Sequence, residues 1–80
     1  MEGLIFDPHA QYEMQRDSVS EDDVYHVVGD ADEEIERDDG RTEYARMLDD
    51  GRWIVVIVED ESRIVRTVWW DARRSRRRRR

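Results

Sequence analysis

Three residues stand in a row that could do acid-base chemistry: His9, Glu13 and Arg16, at positions i, i+4 and i+7 of what reads as a helix. That spacing lines them along one helix face. A histidine near a helix N-terminus has its neutral form favoured by the dipole, which suits a general base, and Arg16 could steady a negative charge. The same row also fits a solvated helix edge with a weak ion pair. A second pair, Tyr44 and Arg46, projects to one face of a strand, with Leu48 beyond. An aromatic ring that stacks a base and a guanidinium that holds a phosphate suit a nucleic-acid groove, whereas packing and pairing with Glu34 or Glu36 across the sheet needs no ligand. Arg66, between Ile64 and Val68 on the last strand, is either paired within a site or snorkelling at an edge. Metal chemistry has no foothold: the two histidines have no ligand spacing and there is no cysteine. No cofactor motif is present either.

The charge is strongly partitioned. Residues 1–72 hold all 21 acidic residues and seven of the 14 basic ones, a balance of −14, and the remaining seven arginines follow, bringing the net charge to −7. Every basic residue is arginine, which fits a GC-rich genome, and the acidic body also fits a protein kept soluble at high salt, a halophilic source. The body should repel nucleic acid on average. Arg73, Arg74, Arg76, Arg77, Arg78, Arg79 and Arg80 form the opposite case, an arginine-rich segment expected to be a disordered tail over 73–80. It could bind phosphates without sequence choice, or fold back loosely on the acidic body. Eighty residues make one small domain, over 1–72, near the size where one core provides only a few kcal/mol, so a homodimer is a natural possibility. With neither a bilayer-length apolar run nor a signal-like N-terminus, the expectation is a soluble, cytoplasmic protein.

Six successive apolar residues, Trp53 to Val58, read as a strand buried on both faces. Around them, Asp38-Asp39-Gly40, Asp49-Asp50-Gly51 and Asp60-Glu61-Ser62 mark turns between strands over 33–37, 41–48 and 63–70. The first of these is highly charged and belongs at a sheet edge. Asp7-Pro8 starts a helix running to about Asp17, with Ala10, Met14 and the adjacent Tyr12 as its apolar side. Ser20 caps a second helix by a capping box, Val19 and Val24 occupy hydrophobic-staple positions, Val24, Val27 and Val28 form its buried face, and Gly29 is expected to end it in the left-handed conformation. The expected fold is α+β: two N-terminal helices on a four-stranded antiparallel meander, with Gly3 to Phe6 as a further short strand or an extended lead-in. Trp53, Trp69 and Trp70 read as core and rim, with Trp69 and Trp70 on opposite faces.

This order of elements, with His9-Ala10, Met14, Val19-Ser20-Glu21-Asp22-Asp23-Val24, Gly40-Arg41, Gly51-Arg52-Trp53 and Val68-Trp69-Trp70, resembles a family of small prokaryotic domains of unknown function grouped with the RelE and BrnT type toxins. The resemblance covers about residues 4–71. It implies a RelE-like fold, metal-independent cleavage of RNA, and an antitoxin-like protein partner. His9 matches the family's helical histidine. The family's arginine three residues after the methionine is replaced by Asp17, with Arg16 one step earlier and turned by about 100°. His9, Arg16, Tyr44, Arg46 and Arg66 are the catalytic candidates of that reading. A non-catalytic binding module of the same fold and a simple dimerisation domain are the competing ones.

Overall fold

The computed structural model describes residues 3–74. The chain forms β1 (Ile5–Phe6), α1 (Pro8–Asp17), α2 (Glu21–Gly29), β2 (Glu33–Glu36), β3 (Arg41–Met47), β4 (Trp53–Glu59) and β5 (Ile64–Trp70). The five strands make one mixed sheet in the order β1-β5-β4-β3-β2. The α+β class and the antiparallel meander β2 to β5 are as expected. The N-terminal lead-in is a true strand that pairs parallel to β5, Ile5 opposite Ile64 and Phe6 opposite Val65, so the sheet has five strands and is not purely antiparallel. A parallel neighbour is permitted there because both helices lie between β1 and the meander, long enough for a crossover.

Helix α1 starts where Asp7 accepts a bond from the His9 amide, 2.9 Å, with Pro8 in the first turn. It ends at Ser18, whose backbone is left-handed (φ 58°). Ala10 and Met14 are buried, but Tyr12 is 62% exposed and belongs to the outer side, under the Arg16 guanidinium. Helix α2 carries the full capping box: Ser20 Oγ accepts from the Asp23 amide at 3.0 Å and Asp23 accepts from the Ser20 amide at 2.9 Å. Its end differs from expectation. Gly29 is still helical, and the cap is Asp30, at φ −144°, ψ 52°, whose amide donates to the His26 carbonyl. Glycine is therefore not needed there, whereas Gly40 (φ 81°) and Gly51 (φ 88°) do occupy the left-handed region at the two Asp-Gly turns.

β4 is buried on both faces from Trp53 to Val58. On one side α1 lies over β5 and α2 over β3 and β4, enclosing Val24, Val27, Ile54, Val56, Val58, Val65 and Val68. The other face holds a smaller cluster, Ala45, Trp53 and Val55, flanked by Met47 and Trp69. Trp70 joins the helix-side core and Trp69 the opposite cluster, as strand alternation requires. The alternation breaks once. Ile57 faces Thr67 and Val58 faces Val65, leaving Arg66 as the extra residue of a β-bulge.

Candidate functional site

The bulge decides what Arg66 can reach. Arg66 does not continue the face of Ile64 and Val68 as simple alternation suggested. Its Nη1 donates to Asp7 and its Nε to Glu59 Oε2 at 2.8 Å, so it ties the start of α1 to the end of β4. The two acids hold the guanidinium pKa above its usual value, Glu59 contributing most. In return, the His9 amide and then Arg66 lower the Asp7 pKa, and Arg66 and then Ser62 lower that of Glu59.

One turn along α1, Glu13 turns inward. Its Oε1 accepts from Thr67 Oγ1 at 2.6 Å and from the Val68 amide at 3.0 Å, fastening the helix to β5. Its Oε2 lies 3.4 Å from His9 Nε2. The imidazole is two-thirds exposed and the carboxylate nearly buried, so a fixed acid sits beside a solvent-facing histidine. His9, Glu13, Asp7, Arg66 and Thr67 thus meet around the N-terminal half of α1. Glu59 and Thr67 carry no signal in the sequence that marks them for a site. Asp7 was legible only as a helix cap, and nothing in spacing brings residues more than 50 positions apart together.

The other candidates stand elsewhere. Arg16 leaves the His9 and Glu13 row and makes a two-point contact with its neighbour Asp17, both hydrogen bonds at 3.0 Å. This raises the Arg16 pKa and lowers that of Asp17. Asp17 also accepts the Trp70 indole N-H on its backbone carbonyl at 3.1 Å, so the position where the resembled family has arginine serves the helix-to-sheet joint here. Tyr44 lies on the helix side of β3, packed against the core rather than open to a groove. Arg46 donates to the Asp30 carbonyl and carboxylate, 2.7 and 2.6 Å, beside a cavity of about 420 Å³ that His26, Asp23 and Asp49 also line. Its partner is the end of α2 and not Glu34 or Glu36. The described residues contain no cluster of three or more metal-ligating side chains. No helix among them is long and apolar enough to cross a membrane.

The C-terminal arginines divide at Ser75. Arg76 to Arg80 lie outside the described residues. Arg74 is described, and it packs on the sheet. Its guanidinium donates to Glu33 of β2 and Glu43 of β3, its Nε stands 3.0 Å from Asp71 as a charge contact without hydrogen-bond geometry, and it lies 5.9 Å from the centre of the Trp53 ring. The Asp71 amide donates to the Trp53 carbonyl, carrying the strand pairing past Trp70. The folded part therefore reaches Arg74, two residues beyond the expected boundary. Beside it, Arg52 stacks on Trp70 with its guanidinium carbon 4.2 Å from the ring centre and bonds Asp50 at 2.6 Å. Comparison of the chain with protein-family models, with curated proteins and with solved structures finds no match.

Proposed function

We propose that this domain is a non-catalytic, RNA-directed binding module of the RelE/BrnT type of fold, with its contact surface at the C-terminal end of β5. The observation that carries this reading is the gathering of Trp53, Trp70, Arg52 and Arg74 at the point where the arginine-rich segment begins. Rings and guanidinium planes stack bases, and the following arginines meet phosphates. Non-catalytic is preferred because each candidate cation for a transition state is already matched by acid: Arg16 by Asp17, Arg46 by Asp30, Arg66 by Asp7 and Glu59. A guanidinium engaged by carboxylates has little left for a developing phosphorane charge. The test is RNA binding by full-length protein across a salt series. Replacing Arg76 to Arg80 with glutamine, keeping Arg74 in its place, should weaken binding and flatten its salt dependence. Binding that is unchanged by that replacement would refute the assignment.

A second reading, a metal-independent ribonuclease with an antitoxin-like partner, is favoured by one feature, the exposed His9 beside the fixed Glu13. Carboxylate-oriented histidine is a recurring arrangement for general bases. Cleavage of a mixed RNA in EDTA by wild type, lost in His9→Ala, would establish it in place of the first.

A further inference from the structure

We propose that the cavity between Trp70 and Arg74 is a subsite for one nucleobase of a single-stranded RNA, an inference that rests on the RNA-binding reading above. The cavity, about 220 Å³, is lined by Arg52, Trp53, Trp70, Asp71 and Arg74. That volume is below the roughly 300–1,000 Å³ of sites for larger ligands, so it suits a single flat ring system. Trp53 is buried and forms a fixed wall, and Trp70 is anchored through its indole N-H to the Asp17 carbonyl, so neither ring has to be ordered on binding.

The movable wall is Arg52. Its side chain is 57% exposed, and its ion-pair partner Asp50 is 51% exposed, so the pair holding it over Trp70 is a weak surface one. A base entering the cavity stacks on the guanidinium plane, which Trp70 backs from the other side and which accepts any base. Arg74 forms the opposite side, and its charge is met by Glu33, Glu43 and Asp71, so it adds shape and a flat cation without a free charge for phosphate. The site is thus one for a base and not for a phosphate, built on Arg52, Trp70 and Arg74.

The discriminating ligands are a short oligouridylate, about eight nucleotides, and an abasic strand carrying the same number of phosphates. Uridylate is chosen because its bases stack least on one another. Full-length wild type should bind oligouridylate about fivefold or more tightly than the abasic strand, with quenching of tryptophan fluorescence for the base-bearing strand only. Arg52→Gln should bring the affinity ratio close to one, and Arg52→Lys, which keeps the charge and loses the plane, should do the same. Because the readout is a ratio, the loss of one charge cancels. A wild-type ratio near one, or a ratio unmoved by Arg52→Gln, overturns the subsite and leaves the binding module standing. Failure to bind either strand at low salt overturns both.

Discussion

The two faces of the sheet are closed by different physics. On the helix side, the valines of α2 and alternate residues of β4 and β5 bury one another in a wholly apolar cluster, with the Glu13 carboxylate at its margin. On the other side, three buried residues, Ala45, Trp53 and Val55, depend on flanking Met47 and Trp69 and on the Arg74 guanidinium from beyond β5. Apolar burial is non-directional and tolerant, whereas an arginine held by three carboxylates works only with its partners in place. The helix face should therefore govern whether the domain folds, and the opposite face how it is finished and what it can contact.

The largest expected effect is on the helix side. Ile54 is 1% exposed, and Ile54→Ala should cost about 2–5 kcal/mol, comparable to the whole net stability of a domain this small. Urea unfolding followed by near-ultraviolet circular dichroism should show the cooperative transition lost or moved to much lower denaturant. An unchanged midpoint would remove the primacy given to that face.

Arg74 comes next. Its side chain is 16% exposed, and those of Glu33 and Glu43 are 12% and 15% exposed. Arg74→Met should destabilise by about 1–3 kcal/mol, because it removes the cation that Glu33 and Glu43 share and leaves Glu43 the longer 3.8 Å pair with Arg37. Adding Glu33→Gln and Glu43→Gln should recover part of that loss in thermal unfolding. If the added changes deepen the loss instead, the cost lies in packing and not in unpaired charge.

The smallest effect is a slope. Asp7 and Glu59 have pKa values held below their ordinary 3.8 and 4.5, so both bind protons less readily folded than unfolded. Their contribution is present above those ordinary values and is lost as pH falls through the lowered ones. Stability should therefore decline on acidification below about pH 4.5, and Arg66→Met should make that decline shallower. The His9 amide would still lower Asp7 in the variant, so equal slopes would show that Arg66 contributes nothing to lowering Glu59 or Asp7.

Local signals made much of this molecule legible. Asp7-Pro8, the Ser20 to Asp23 box and the two Asp-Gly turns act within four residues, and each appears in the structure where the chain indicated it. The burial of β4 on both faces follows from its own composition. Gly29 shows the limit of such rules: a helix can end on a neighbour's geometry when Asp30 is able to take the cap. The candidate site was legible only as residue types. His9 beside Glu13 follows from helix spacing, but the Arg16 row fails because a closer acid, Asp17, competes for the guanidinium.

What the sequence determined by itself, then, is the set of elements, their caps and turns, and which strand lies in the middle, since these depend on neighbours along the chain. What only the tertiary structure decided is which acid each arginine meets. Asp7 with Arg66, Asp30 with Arg46, and Glu33 and Glu43 with Arg74 are each at least 16 positions apart. In a chain with 21 acids and 14 arginines, pattern allows many such pairings. A bulge at Arg66, a parallel strand at β1 and a turn after Trp70 select among them, because a charge pair a few ångströms long is set by the path of the backbone and not by residue type.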